Sequence, residues 1–117
     1  MESKLLKVKL RPNSKPHFLA LLKFMQADPA APKNEMLQKR YFWDSFFLDK
    51  DDNLYMVLKS KDFTKIMLDE SELVATAFRP VYERFRSQCW VAGSYEDIEE
   101  LFCFNDALSF LGLAVEA

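Results

Sequence analysis

The sequence predicts an α+β domain in which a four-stranded antiparallel sheet carries its two main helices on one face. Two aromatic and aliphatic runs, 41–48 and 54–60, flank five polar residues, which is the pattern of a β-hairpin. Residues 5–11 and 100–104 alternate in the period of two that a strand requires, so each predicts a further strand. Segments with apolar residues at helical spacing connect the hairpin to these two strands.

The N-terminal half gives a strand, a helix and a shorter helical piece. In the first strand Leu6, Val8 and Leu10 form an apolar face, and Lys7, Lys9 and Arg11 form a basic one. Ser14 is a good N-cap for a helix over 15–27, whose stripe is formed by Phe18, Leu21, Leu22 and Met25. The prolines in 28–32 end this helix, and 33–40 is predicted to be a short second one.

The C-terminal half gives the second main helix and the last strand. Ser60 can cap a helix whose shared face is formed by Phe63, Ile66, Met67, Val74, Ala77 and Phe78. Pro80 interrupts that helix and begins a continuation to Gln88, in which Val81, Phe85 and Cys89 face inward. Residues 90–96 read as a loop, 100–104 as the last strand, and Asp106 as the cap of a short helix over 107–113.

The order strand, helix, strand, strand, helix, strand predicts a ferredoxin-like plait with the first and third strands at the centre of the sheet. We predict one domain over residues 1–117. Its plait core spans 4–104, and 105–117 form a helical tail.

The helices cover only one face of this sheet, and the hairpin makes the other face apolar. The apolar sides of the first and third strands carry Val8 and Met56. If these sides face the helices, then the alternate residues lie on the open face: Lys7, Lys9, Tyr55, Val57 and Lys59. The second strand is apolar on both sides, so either Tyr41, Trp43 and Phe47 or Phe42, Phe46 and Leu48 must point away from the helices. Such a patch exceeds what monomers usually expose, which predicts a twofold homodimer. The alternative is that residues 107–117 fold over the open face.

Three stretches resemble a family of small uncharacterised bacterial proteins. They are Leu-Leu-Lys-Val-Lys-Leu-Arg-Pro-Asn-Ser at the start, the hairpin with Asn-Leu-Tyr-Met-Val-Leu-Lys-Ser-Lys-Asp, and Pro-Val-Tyr-Glu-Arg-Phe-Arg-Ser-Gln-Cys-Trp. That family is similar to the ferredoxin-like dimeric α+β barrels, and the resemblance covers about residues 4–104. It implies the fold and a homodimer, and it carries no established activity.

Composition excludes several function classes. The net charge of -2 gives no general attraction to nucleic acid, and no apolar run is long enough for a membrane helix. There is no signal-peptide pattern, so we expect a soluble cytoplasmic protein. With two glycines and one histidine, neither a glycine-rich phosphate loop nor a zinc-ligand pattern is present, and we expect no cofactor and no metal. Cys89 and Cys103 are expected to be reduced core thiols, and the alternative is a disulfide or a reactive thiol.

The first functional hypothesis is a dimeric domain that binds a small anionic or aromatic metabolite. Lys7, Lys9, Tyr55 and Lys59 could form a basic pocket on the inner face of the dimer, and Trp43 could stack on a flat ligand. The alternative is that the lysines extend to solvent or pair with Asp44 or Glu100.

The second hypothesis is a cofactor-independent monooxygenase or isomerase. Its candidates for acid or base are His17, Tyr55, Tyr82 and Glu83, of which the last two lie with Arg79 near Pro80, where a kinked helix could open a cleft. Ordinary solvated helix positions explain these residues equally well. The third hypothesis, an RNA-binding plait, lacks the usual strand motif and ranks last.

Overall fold

The structure, a computed structural model, describes residues 2–63 and 76–112. In chain order the elements are β1 (Glu2–Lys9), α1 (Lys15–Ala27), α2 (Ala30–Gln38), β2 (Trp43–Leu48), β3 (Asn53–Ser60), α3 (Phe78–Cys89), β4 (Glu96–Ile98) and α4 (Ala107–Phe110). The central part of the helix predicted from Ser60 lies outside the described residues, so its continuity with α3 stays a prediction.

The four strands form one antiparallel sheet in the order β2-β3-β1-β4. Val8 of β1 lies opposite Leu54 of β3, Phe46 of β2 lies opposite Met56, and Leu5 lies opposite Ile98 of β4. This confirms the predicted fold class, with the first and third strands central and the second and fourth at the edges.

The core lies between the sheet and the helices. Val8, Leu54 and Met56 point from the sheet towards Phe18 of α1 and Phe85 of α3, whose ring centroids are 5.7 Å apart. The inward positions predicted on α3 are confirmed for Phe85 and Cys89, which are buried, and for Val81, which packs against the core as a partly buried residue. Ser14 occupies the N-cap of α1, although its side chain makes no capping hydrogen bond.

The open face follows from the strand register. Lys7, Tyr55, Val57 and Lys59 share it, as predicted. On β2, Trp43 and Phe47 pair with Lys59 and Tyr55 and point outward with them, while Phe46 and Leu48 point towards the helices. Of the two sets that the sequence left open, Trp43 and Phe47 are therefore the outward pair. Tyr41 departs from that set, because it precedes the strand and lines a cleft on the helix side.

The predicted position of the last strand is wrong. Residues 100–104 have no strand structure, and β4 is the more polar segment Glu96–Ile98. The backbone of Val91 donates to Lys9 and Trp90 bridges to Leu10, so the chain is already beside β1 when the turn ends. The Lys4 ammonium and the Asp97 carboxylate, 3.0 Å apart, then support the pairing of β4 with β1.

Two smaller corrections concern α2 and Cys103. Helix α2 begins at Ala30 rather than Lys33, because Pro29 and Ala30 already continue the helical turn. Cys103 is exposed, since the segment that carries it is not a core strand, whereas Cys89 is buried as predicted. The described part of the tail, up to Gly112, is itself exposed and leaves Trp43 and Phe47 uncovered.

Candidate functional site

A cleft of about 700 Å³ lies between the helix-facing side of the sheet, helix α3 and the turn that follows it. Its sheet side is formed by Leu6, Asp44, Met56 and Leu58, and its helix side by Tyr82, Glu83 and Arg86. Tyr41, Lys39, Trp90 and Tyr95 complete much of the rim. Because its lining combines apolar side chains with charged residues and hydrogen-bonding groups, the cleft has the character of a small-molecule site.

Asp44 is the unusual residue of this cleft. It lies on the edge strand β2 opposite Leu58 and therefore points to the apolar, helix-facing side. Its Oδ1 atom is buried and accepts no hydrogen bond from the described residues. Burial raises the pKa of the Asp44 carboxyl to about 7, although the charge of Lys39 acts in the opposite direction. Near neutral pH this carboxyl can therefore both accept and donate a proton.

Two phenols accompany Asp44. Tyr82 stacks on Phe78 with ring centroids 5.4 Å apart, and its hydroxyl lies 3.7 Å from the Met56 sulfur. Burial, and then the charge of Asp44, raise the pKa values of both Tyr41 and Tyr82 above the ordinary value. Both phenols thus stay protonated and can donate hydrogen bonds to a ligand.

Trp90 places a second unpaired polar atom at the cleft. Its Nε1 is buried and has no hydrogen-bond partner in the described part of the chain. The Arg86 guanidinium lies 4.8 Å from the Trp90 ring centroid, and its Nη1 donates to Glu83 Oε1 at 2.9 Å. Arg86 is thereby held between the indole and the Glu83 carboxylate, which leaves the indole N–H as a donor for a ligand.

A buried ion pair near the cleft joins helices α2 and α3. The Arg79 guanidinium donates to both carboxylate oxygens of Glu35 at 3.0 Å, and the Thr76 hydroxyl donates to Oε2 at 2.9 Å. Burial opposes ionisation of Glu35, but these hydrogen bonds and the charges of Lys39 and Arg79 outweigh it, so the pKa of Glu35 is lowered. Lys39 lies 3.5 Å from Glu35 and also lines the cleft, which links the ion pair to Asp44 electrostatically.

The cleft contains some of the residues singled out from the sequence and not others. Tyr82 and Glu83 line it, close to Pro80, where a cleft was predicted; α3 runs without a break from Phe78 through Pro80. Arg79 instead holds Glu35. His17 is an exposed residue of α1 and is not among the residues that line the cleft.

The remaining predicted residues come together on the open face. The Lys7 ammonium lies 5.9 Å from the Tyr55 ring centroid, and that of Lys59 lies 4.5 Å from the Trp43 ring centroid. The Tyr55 hydroxyl donates to Asp49 Oδ2 at 3.0 Å, and Lys9 Nζ donates to the Asp51 carbonyl. Lys59 and Trp43 share this face, whereas Asp44, suggested as a partner of the lysines, points to the opposite one.

Sequence reasoning missed Asp44, Tyr41 and the role of Trp90 in this cleft. A signal for Asp44 was present, because an acidic residue stands between Trp43 and Phe46 in a strand that is otherwise apolar on the same side. A carboxyl at such a position is desolvated on folding, which makes it a candidate for an altered pKa.

Two further features concern the described residues only. Among them, no group of three or more histidine, cysteine, aspartate or glutamate side chains could hold a metal ion. No helix in the described ranges is long and apolar enough to cross a membrane.

The fold and the cleft define a class, a ferredoxin-like α+β domain with an apolar cleft between sheet and helices. Among solved structures, the chain is similar to an L-rhamnose mutarotase from Formosa agariphila, with a TM-score of 0.59 over 90% of this chain and 100% of that one. The two sequences are 17% identical, so the similarity shows the fold alone. No family model matches the chain. No curated protein matches it either.

Proposed function

We propose that the chain binds a small hydroxylated molecule in the cleft and isomerises it by proton transfer at Asp44, without a cofactor. The observation that carries this proposal is that Asp44 lines the cleft and that its buried Oδ1 has no hydrogen-bond partner among the described residues. An unpaired buried acceptor is costly, and a ligand hydroxyl would satisfy it.

The polar groups of the cleft suit such a ligand. Asp44 offers an acceptor and Trp90 Nε1 a donor, while the phenols of Tyr41 and Tyr82 offer further donors. The walls between them are apolar, as a sugar ring with its C–H faces requires. Stacked Trp90 and Tyr95, with ring centroids 6.1 Å apart, add a flat surface at the rim.

The fold neighbour supplies the reaction that we would test first. In mutarotation a base removes the proton of the anomeric hydroxyl while an acid protonates the ring oxygen, and the bond from the anomeric carbon to that oxygen breaks. Rotation of the carbonyl and reclosure then give the other anomer, with no net gain or loss of atoms. A carboxyl with a pKa of about 7 can take either part in this cycle, because both of its forms are populated at neutral pH.

The test is anomeric exchange measured by NMR on a panel of reducing monosaccharides, beginning with L-rhamnose. We expect the wild-type chain to accelerate exchange of at least one sugar, and Asp44→Asn to lose about 100-fold or more of that acceleration. The matched control is Asp28→Asn, an exposed aspartate at the end of α1, which should keep the wild-type rate.

Two outcomes would contradict this proposal in different ways. A sugar that binds without faster exchange would leave a binding domain, although its ligand and its site would differ from those of the first sequence-based hypothesis. If Asp44→Asn retained the full acceleration, the role of Asp44 would be wrong even though the chain is an isomerase.

We also propose, as the sequence predicts, that a second copy of the chain covers the open face in a homodimer. Trp43 and Phe47 are exposed there, and Val57 lies between them and β1. An anion site at Lys7, Lys9, Tyr55, Lys59 and Trp43 would be enclosed only by such a partner, so it stays a prediction that depends on the homodimer. RNA binding at the same face remains the third hypothesis.

A further inference from the structure

We propose that residues 101–111, here called the C-terminal arm, pack across strand β2 of a second copy of the chain and cover Trp43 and Phe47. In a twofold assembly the partner's arm covers β2 of the first copy in the same way. This inference rests on the proposed homodimer and adds a specific interaction surface to it.

The arm presents apolar side chains that contact little of their own chain. Leu101, Phe102, Phe104 and Phe110 are between 80% and 92% exposed, although they follow directly after the last strand of the sheet. Exposed aromatic residues in such a series are unfavourable in water and mark an interaction site. The arm is therefore a surface that lacks its partner.

The arm has the sequence and local structure of a docking segment rather than a spacer. It contains neither glycine nor proline. The rings of Phe102 and Phe104 lie 6.4 Å apart, and the Asn105 Oδ1 accepts the backbone N–H of Ala107 at 3.3 Å, just before the short helix α4. These contacts organise the arm locally, which lowers the entropy that it would lose on docking.

Strand β2 presents the complementary surface. It is an edge strand of the sheet, and Trp43 and Phe47 on its open side are 48% and 57% exposed. The charges also agree, because Asp106 is the charged residue of the arm and Lys59 lies beside Trp43 on the sheet. The same chain thus carries an apolar arm and an apolar strand face, each exposed in the single copy.

The area available is sufficient for a stable assembly. Three phenylalanines at about 150–250 Å² each would bury roughly 450–750 Å² per arm, and two reciprocal arms approach the roughly 1,200–2,000 Å² of a specific interface. Contacts between the two open faces would add to this area.

The test uses Cys103, a natural thiol in the arm, in the full-length protein. One chain carries Phe47→Cys and Cys103→Ser, and the other keeps Cys103 and bears an affinity tag that changes its mass. After mixing, a short bismaleimide should join the two chains. Replacing Phe47→Cys by Leu37→Cys, an exposed apolar position on α2, should reduce that product to background. Cys89 is buried and common to both chains, so a pair of Cys103→Ser chains measures its contribution.

A second measurement keeps the proposal testable if Phe47→Cys does not fold, in which case Trp43→Cys replaces it. In the untagged protein, Phe102→Ser with Phe104→Ser should raise the dissociation constant of the homodimer by about tenfold or more, the equivalent of about 1.4 kcal/mol.

The outcomes separate this inference from the proposal on which it rests. A chain that stays monomeric at all concentrations would overturn both. If a chain that keeps Cys103 and also carries Phe47→Cys is joined within itself, while the mixed pair gives no product, the homodimer would stand and the exchange of arms would be overturned. A dimer with no product at Phe47→Cys or at Trp43→Cys would overturn the docking of the arm on β2.

Discussion

Asp44 carries a carboxyl group in surroundings that favour its neutral form. A free aspartate ionises near pH 4, whereas burial raises the pKa of Asp44 to about 7. The folded state therefore holds a proton there more tightly than the unfolded chain does. This places a proton donor and acceptor of neutral pKa inside an apolar cleft, which is where acid and base catalysts are found.

Asp44 should make stability depend on pH in a defined direction. Since the pKa is raised on folding, its contribution is fully present below about pH 4 and is lost as the pH rises towards about 7. The Asp44→Asn side chain cannot ionise. The free energy of unfolding of this variant, relative to the wild type, should therefore rise between pH 4 and 8 by up to about 4 kcal/mol. Urea denaturation at a series of pH values measures the difference.

The control for this experiment is Asp49, whose carboxylate behaves in the opposite way. The hydrogen bond from the backbone of Asn53 is the largest cause that lowers the pKa of Asp49 to about 2. Desolvation opposes it, and hydrogen bonds from the Asn53 side chain, the Asp51 backbone and Tyr55 lower the pKa further. Asp49→Asn should therefore lose stability relative to the wild type above about pH 4 rather than gain it. If both variants showed the same pH dependence, the assignment to Asp44 would be wrong.

The residues of the two candidate sites differ in how far the sequence could locate them. The alternation of β1 and β3 placed Lys7, Tyr55 and Lys59 on one face correctly, because side-chain direction in a strand has a period of two. Asp44 could not be assigned to a cleft in the same way. Its altered pKa depends on burial, and then on the opposing charge of Lys39, and that burial arises only when β2 and α3 pack together in the folded chain.

At the scale of elements, α2 and α3 are joined by one buried ion pair. Glu35 is 3% exposed, and its carboxylate accepts hydrogen bonds from Nε and Nη2 of Arg79. Such a pair adds little net stability and mainly fixes the relative position of the two helices. If one partner is removed, however, the charge of the other is left buried and unpaired. The orientation of α3, and with it Tyr82, depends on this contact.

Arg79→Met should destabilise the chain by about 3 kcal/mol at pH 7, at the lower end of the roughly 3–5 kcal/mol expected for an uncompensated buried charge. The lower end applies because Thr76 and Lys39 still contact Glu35. Chemical denaturation measures this. The matched control is Glu83→Gln, which breaks the more exposed pair with Arg86 and should cost about 1 kcal/mol or less. Equal losses in the two variants would contradict a structural role for the Glu35 pair.

The last strand shows where pattern and pairing disagree. Residues 101–104 have the apolar alternation of a strand, yet β4 is Glu96–Ile98. The position of β1 decides which segment becomes β4, because the chain reaches β1 immediately after the turn at 91–95. The opposite charges of Lys7 and Glu96, and of Lys4 and Asp97, then meet across the two strands. Local periodicity carries no information about that long-range partner.

At the scale of the molecule, the sheet has one covered and one open face. The helices bury Val8, Leu54 and Met56, while Trp43 and Phe47 remain exposed on the other side. The sequence predicted this imbalance from the first hairpin strand, since no choice of register makes that strand polar on one side. The oligomeric state of the chain in solution tests whether a second copy covers this face.

Trp43→Ser combined with Phe47→Ser should shift the homodimer towards the monomer, because aromatic anchors supply much of the energy of such interfaces. Light scattering over a range of concentrations should give twice the chain mass for the wild type and a lower mass for the double variant. Leu37→Ser, which removes an exposed apolar residue from α2, should leave the mass unchanged. A wild-type mass of one chain at every concentration would contradict the proposed homodimer.

The central position of β1 has a consequence for the kinetics of folding. The hairpin of β2 and β3 joins neighbours in the chain, whereas Lys4 of β1 meets Asp97 across 93 residues of sequence. Closing so long a loop is slow compared with forming a hairpin. We therefore expect the hairpin to form early, β1 to join it next, and β4 to complete the sheet in the slowest step. Until that step one side of β1 has unpaired backbone groups, so the intermediate that precedes it is the species most prone to aggregate.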